Sequence, residues 1–426
     1  VQLTDKYAII YAKLGNIGPN GATAPKIWVF LRNGYIGTFP GATTDSGKAV
    51  YTIHENYQDW GNPAYGGFIA NEEDDLLFVS YGLSAQPADY HIAVYKLSDG
   101  TFIKNMVPYS TTTHLSDLGD DGMAYGNGIL ALGAIYESAL NPPADHFEAD
   151  KLEGVVHLYD VDSGNLITKI YNPNSGTADG SSPYQDFFGY DLAIQGTTLL
   201  VGAYGEDYDV SGQTDNQSGI AYGFALEDIK AAYNIENITF DNGATLNMTD
   251  TIFKKAYGSG ELVHRFYNPD IYRSQTRTPT GGYTDEILEN DRFGFTVDVH
   301  GNYIVVGAPY DEGQPPEIGD SFGSAYVFDA TTGQLLHHIP NPSSNPISND
   351  YFGYHVRISE KYLAIGSPYM ENDDQDEGLI WIFDTKSGRL KFRIEDPGAT
   401  DFLNNGFGDK FELDGNILVV GCPYAD

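Results

Sequence analysis

The sequence predicts an all-β chain, a seven-bladed β-propeller of four-stranded antiparallel blades with the last blade incomplete. Three recurrences carry that prediction. The pairs Phe188-Gly189, Phe293-Gly294, Phe352-Gly353 and Phe407-Gly408 are each followed, at one identical distance, by the glycine of an apolar run: LLVGAY, IVVGAPY, LAIGSPY and LVVGCPY, at Gly202, Gly307, Gly366 and Gly421. A further apolar run then opens on glycine, as GIAYGF, GSAYVF and GLIWIF at Gly219, Gly323 and Gly378, with GVVHLY at Gly154 a weaker version. Finally, DVDSG, DATTG and DTKSG read as hairpin turns at Gly164, Gly333 and Gly388, before strands that stop at Pro173, Pro342 and Pro397. Proline ends them because it has no amide to give a ladder. Short strands separated by turn residues, with no helix between them, suit radial repetition, which protects sheet edges.

Taken in order, the blades start near residues 1, 65, 118, 188, 293, 352 and 407, and residues 1–426 form a single domain. VQLTDKYAII lies over VRISEKYLAI (356–365), so the first blade opens mid-repeat and the protein is expected to extend beyond this sequence, as part of a longer chain or larger assembly. In the second blade Tyr65-Gly66 stands where Phe-Gly is expected, and in the third Leu118-Gly119 does. The fourth is interrupted by an insertion at 227–259, which begins with a helix-like EDIKAAYN. The fifth and sixth follow the pattern most closely. The seventh supplies two strands before Asp426.

Composition narrows the partners. With 59 Asp and Glu against 23 Lys and Arg, the net charge is −36, which argues against nucleic acid, whose phosphates need cationic side chains. No apolar run approaches the roughly 18 residues of a membrane span, so no membrane insertion is expected. The single Cys422 cannot close an internal disulfide and reads as a small strand hydrophobe.

The residues quoted above resemble the FG-GAP repeats of the integrin α-subunit propeller and of many bacterial and phage surface proteins. The carriers are Phe293-Gly294 with Gly307-Ala308-Pro309, Phe352-Gly353 with Gly366-Ser367-Pro368, Phe188-Gly189 with Gly202-Ala203, and Phe407-Gly408 with Gly421-Cys422-Pro423. The resemblance implies scaffold more than chemistry. It also implies an extracellular, cell-surface or virion setting and an adhesive or receptor-binding role. Integrin-like blades often carry a calcium loop between Phe-Gly and Gly-Ala-Pro. Here tight turns such as QGTT and HGNY occupy that link, so those calcium sites do not carry over.

An antiparallel meander sends the strand 2–3 loops and the links to the next blade out at one end. Those segments are long, between Gly133 and Gly154 or Gly307 and Gly323, and long loops on a rigid scaffold are where binding sites lie. On that end Asp207, Asp209, Ser211, Gln213 and Asp215, with Gly212, have the oxygen spacing of an EF-hand-like calcium loop that lacks its last glutamate; the plain alternative is a solvated acidic loop. Asn372, Asp374 and Asp376 form a weaker version, and Asp311-Glu312 reads as surface charge. Tyr204, Tyr310, Tyr369 and Tyr424 recur just after strand 2, where they either stack on sugars or pack the blade tops. His337-His338 should point to opposite faces of a strand.

Catalytic signatures such as a P-loop, H-E-x-x-H or G-x-S-x-G are absent. Tyr354, His355 and Arg357 superficially suggest a lyase, but Tyr354 is expected to point away from the other two, and none is expected on the long-loop end. The reading favours a non-enzymatic module holding a cell-surface glycan or protein receptor, with Ca2+ as a candidate loop stiffener. A secreted polysaccharide lyase or hydrolase, and a structural fibre or appendage component, are the alternatives.

Overall fold

The computed structural model describes residues 2–4, 6–12, 26–31, 51–53, 63–83, 91–106, 118–119, 122–137, 153–173, 186–206, 218–226, 238–239, 245–246, 261–269, 291–311, 321–343, 349–370, 378–397 and 406–422. The Asp207–Asp215 loop, Asn372 to Asp376, Tyr424 and the helix-like 227–234 lie outside the described residues.

Among those residues the sheets follow one another as predicted. Four-stranded antiparallel sheets form from Gln2–Leu3, Tyr7–Ala12, Lys26–Leu31 and Tyr51–Ile53; from Pro63–Asn71, Leu76–Leu83, His91–Lys96 and Phe102–Met106; and from Met123–Gly126, Ile129–Ala134, Val155–Asp160 and Leu166–Tyr171. The fourth takes Leu192–Gln195, Thr198–Ala203, Ile220–Ala225 and, after the insertion, Glu261–Tyr267. The fifth takes Thr296–His300, Tyr303–Ala308, Ser324–Asp329 and Leu335–Pro340, and the sixth His355–Ile358, Tyr362–Ser367, Leu379–Asp384 and Leu390–Glu395. Lys410–Asp414 and Ile417–Gly421 make a two-stranded seventh, and Ile238–Thr239 pairs with Thr245–Leu246 inside the insertion. These are the blades of a β-propeller.

In blades three to six the second and third strands are largely apolar because they are buried on both faces. Ile129–Ala134 and Val155–Asp160 are buried along their whole length, whereas the edge strand Leu390–Glu395 is almost wholly exposed. The chain divides into two compact units, Asp117–Val356 and Val1–Ser116 with Arg357–Asp426. In the first unit, Val156, Leu158, Phe188, Leu199, Val201 and Tyr222 form one core cluster and Ala221, Phe266, Phe293, Val306 and Tyr326 another, each shared by consecutive blades. In the second unit, Ile9 and Val29 pack with Leu77 and Val79, and Ile380 and Ile382 with Phe407 and Phe411.

The spacing between Phe-Gly and the strand-2 glycine has a packing cause. Within blade four the Gly189 amide donates to the Gly202 carbonyl at 2.9 Å, while a Cβ on Gly202 would lie 2.1 Å from the carbonyl oxygen of Gly294 in blade five. Blades thus meet backbone to backbone at glycines. The Phe293 amide also donates across this seam, to the Ser218 carbonyl at 3.0 Å, and the Phe352 amide does the same to Phe322 at 3.1 Å in the next. Leu118-Gly119 plays the Phe-Gly part in blade three: Leu118 is buried and the Gly119 amide donates to the Gly133 carbonyl at 2.8 Å. Tyr65-Gly66 does not. It lies within the continuous strand Pro63–Asn71, and the irregularity between Tyr65 and Phe68 is a register shift.

The third-to-fourth strand hairpins are tied by their aspartates. Asp160 Oδ1 accepts from the Ser163 amide at 2.8 Å, Asp329 Oδ1 from the Thr332 amide at 2.7 Å and Asp384 Oδ1 from the Ser387 amide at 3.0 Å. Hydrogen bonds from Ser387, joined by the Lys391 ammonium, hold the Asp384 carboxyl down at about 2. Strand 3 and strand 4 then shift register at one equivalent place in each hairpin, as at Leu158/Tyr159, Val327/Phe328 and Ile382/Phe383.

Candidate functional site

At the long-loop end, the links into blades four, five and six are held by one device. The Asn that precedes the strand-4 proline donates through Nδ2 to an Asp two residues before Phe-Gly: Asn172 to Asp186 at 2.9 Å, Asn268 to Asp291 at 2.7 Å and Asn341 to Asp350 at 2.8 Å. The residue immediately before the Phe is in the left-handed region, with φ of 54° at Phe187, 53° at Arg292, 48° at Tyr351 and 73° at Gly406. Glycine adopts this conformation freely, whereas a side chain costs about 1–2 kcal/mol there. Three blades nevertheless carry a large side chain at this point.

Those side chains meet the tyrosines that follow strand 2. Tyr136 lies edge-on to Phe187 at 6.2 Å, Phe187 stacks on Tyr204 at 4.6 Å with planes 11° apart, and Tyr310 lies 4.8 Å from Tyr351. Arg292 joins the two halves, its guanidinium carbon 3.9 Å from the Tyr310 ring centroid and 5.5 Å from that of Tyr204. The result is an arc of six half-buried side chains contributed by blades three to six. An inner branch runs from Tyr204 to Tyr190 at 4.6 Å, on to Phe295 at 5.0 Å and from there to Tyr354 at 4.9 Å.

The predicted tyrosines are therefore partly placed. Tyr204 and Tyr310 belong to the arc, Tyr369 is half-buried at the equivalent position of blade six, and Tyr424 lies outside the described residues. Tyr354, expected away from this end, sits on it, because the first strand of a blade begins there. His355 is buried and the Arg357 Nε donates to Glu412 Oε2 at 3.1 Å, so the three residues form no common site. His338 stacks on Tyr326 with planes 5° apart. Sequence reasoning missed Phe187, Arg292 and Tyr351, although the recurring Asp-x-Phe-Gly at 186, 291 and 350 marked their positions.

Behind the arc, blades three, four and five repeat a carboxylate that reaches back onto strand 3. Asp311, read from sequence as surface charge, is buried and accepts from the Tyr326 hydroxyl at 2.6 Å; Glu206 accepts from the Tyr222 hydroxyl at 2.6 Å. Burial, with the Glu206 charge and hydrogen bond, pushes the Tyr222 phenol far up, so it stays a donor. In blade three Glu137 takes the same place, bonded to His157 Nε2 and paired with Lys169 Nζ, both at 2.5 Å. Burial acts to raise the Glu137 carboxyl, but the His157 hydrogen bond and the His157 and Lys169 charges outweigh it and hold it at about 2. Burial pushes His157 down.

Blade six breaks this pattern. Met370 stands where the acid stands elsewhere, and the buried Trp381 Nε1, at the Tyr222 and Tyr326 position, has no hydrogen-bond partner. A buried unmade bond costs about 1–3 kcal/mol. Met370→Glu, of similar length, supplies the acceptor beside Arg393, the cross-strand neighbour of Trp381. The expected result is a thermal midpoint raised by roughly 2 °C, measured by calorimetry; an unchanged or lower midpoint would show that the indole gains nothing from it.

Among the described residues no cluster of three or more His, Cys, Asp or Glu side chains is placed to hold an ion. A family model described as the FG-GAP repeat matches residues 177–224 and 285–328, which hold the Phe-Gly pairs of blades four and five. The chain carries FG-GAP repeats. No curated protein matches it. Among solved structures, one titled "Crystal Structure of Mitotic Checkpoint Complex" is similar over 99% of this chain and 90% of that chain, at 11% identity and a TM-score of 0.47, a likeness too loose to carry fold or function. The FG-GAP blades place Arg292 and Phe187 in corresponding positions, each one residue ahead of a Phe-Gly pair. Among the described residues no helix is long and apolar enough to cross a membrane.

Proposed function

We infer that this FG-GAP-repeat chain is a non-enzymatic binding module of a cell surface, secreted appendage or virion, and that it holds a glycan on the aromatic arc of its long-loop end. The observation that carries this reading is the left-handed backbone at Phe187, Arg292 and Tyr351. Bulky residues kept at a strained position, where Gly406 in blade seven has none of the cost, mark a site at which the side chain is worth more than stability. An aromatic face offers a sugar ring apolar area while leaving its hydroxyls to polar neighbours. Blades three to six present such faces in sequence along one arc. Calcium at Asp207, Asp209, Ser211, Gln213 and Asp215 belongs to the same reading, as a stiffener of the loop that follows Tyr204.

The test separates strain from function. Phe187→Gly and Tyr351→Gly relieve the left-handed backbone but delete rings from the arc. Each is expected to change the thermal midpoint by less than 2–4 °C while lowering retention on a glycan array at least tenfold. Retention unchanged in both variants would exclude the arc. Released oligosaccharide in the same wells would replace the binding module by an enzyme, and retention of protein ligands alone would replace glycan by a protein receptor. Chelation that leaves retention intact would remove calcium from the account.

A further inference from the structure

The arc ends in blade six on Tyr351, and the hydroxyl end of that ring carries a fixed amide. The Tyr351 hydroxyl donates to Asn349 Oδ1 at 3.0 Å. That bond takes the oxygen end of a planar side chain and leaves the nitrogen end, which has two N–H donors. Asn349 is exposed, and among the described residues no other group bonds its side chain. Beside it Tyr310 and Tyr351, 4.8 Å apart, offer apolar area, so rings and donors stand together at one place. Backbone geometry accounts for part of this choice: Asn349 has φ 73°, and asparagine enters the left-handed region more readily than most side chains. The sequence asks for more. A side-chain amide stands three residues ahead of the Phe of the Phe-Gly pair in each of blades four to seven, as Gln185, Asn290, Asn349 and Asn404. Glutamine lacks that backbone preference, so what the four positions share is the amide.

We propose that Asn349 is a specificity-determining residue of the arc, and that its Nδ2 takes two adjacent hydroxyl groups of an uncharged pyranose lying on the Tyr310–Tyr351 pair. This rests on the glycan reading and adds the class of sugar to it. Two N–H bonds on one nitrogen diverge, which suits a vicinal pair of hydroxyl oxygens, each of them an acceptor. The carbonyl of an acetamido group would engage one of the two and leave the other. A carboxylated sugar would meet the field of a chain with net charge −36. Neutral hydroxyls meet no such field, and they supply what the amide nitrogen is built to bond.

The deciding experiment measures retention on immobilised neutral glucan, galactan and mannan, with the methyl glycosides of the same sugars and their monodeoxy derivatives as competitors. Asn349→Gly keeps the left-handed backbone and removes the amide. Its thermal midpoint is expected to stay within about 2–4 °C of the unmodified chain, while retention falls roughly 2–10-fold for each neutral hydrogen bond lost. Asn349→Asp is expected to restore retention, because a hydroxyl donates to a carboxylate as readily as it accepts from an amide. Removing either of the two adjacent hydroxyls should weaken a competitor against the unmodified chain and not against Asn349→Gly. Equal retention by Asn349→Gly and the unmodified chain overturns the role of the amide and leaves the glycan reading standing, with Asn349 serving the backbone alone. Loss in both variants, with an N-acetylated glycoside the strongest competitor, overturns the hydroxyl pair in favour of a group that only accepts. Retention of charged glycans alone overturns the uncharged class and spares the glycan reading. Retention of none of these polymers, nor of any other glycan on the array, sinks both.

Discussion

Gly202→Ala should fail to give a stable fourth and fifth blade. The added methyl would sit 2.1 Å from the Gly294 carbonyl oxygen, and that oxygen belongs to backbone hydrogen-bonded within its own blade, so no flexible side chain can yield. Overpacking typically costs about 1–3 kcal/mol, and a clash of backbone against Cβ belongs at or above the upper end. Gly219→Ala is worse placed, 1.9 Å from the Phe293 carbonyl oxygen and at φ +79°. Gly196 and Gly301 are the controls: both have φ +58° and open space around the Cβ position, so alanine there meets only the left-handed cost of about 1–2 kcal/mol. Chemical denaturation of the four variants checks the ranking. Controls as damaging as Gly202→Ala would mean that backbone conformation, and not the seam between blades, dictates these glycines.

The second large effect concerns Glu137. Removing its charge with Glu137→Gln leaves the buried Lys169 pair broken, a loss of about 3–5 kcal/mol. The same group makes stability depend on pH, and the sign follows from the direction of each shift. Glu137 is held at about 2 against an ordinary 4.5, so the unfolded chain takes up this proton first on acidification. Its contribution, roughly 3 kcal/mol, is present above pH 4.5 and lost as the pH falls toward 2. His157 is pushed down from 6.5 by burial, with the Glu137 bond opposing that shift and the Lys169 charge adding to it. It therefore also removes stability as the pH drops below 6.5. Thermal midpoints should fall between pH 7.5 and 5 in the unmodified chain and fall less in His157→Gln, whose amide keeps a donor toward Glu137 without titrating. Parallel profiles for the two would show that His157 takes no part.

These predictions divide between what the residues announce and what only packing reveals. The identical distance from Phe188, Phe293, Phe352 and Phe407 to their strand-2 glycines was legible because it is set inside one blade, by a local hydrogen bond such as Gly189 to Gly202 and by a seam that admits no Cβ. Each blade imposes that condition again, so the pattern repeats and can be read. Degenerate openings were harder to judge. Leu118-Gly119 met the condition, whereas Tyr65-Gly66 lies inside a strand, and nothing in the dipeptides themselves separates the two.

The site obeys a different kind of condition. Asp311 looks like surface charge in a chain with 59 acids, and it is buried only because Tyr326 on the next strand of the sheet brings a hydroxyl to it. The arc joins Tyr204 to Arg292 and Tyr310 to Tyr351, residues of consecutive blades whose separation in sequence is decided by loops of unequal length. No fixed spacing survives such loops. The sequence by itself determined the blades, their order and the glycines at their seams, since backbone geometry repeats wherever the fold repeats. Which side chains meet was decided by the tertiary structure, because contacts between neighbouring blades depend on distance in space, which variable loops uncouple from distance along the chain.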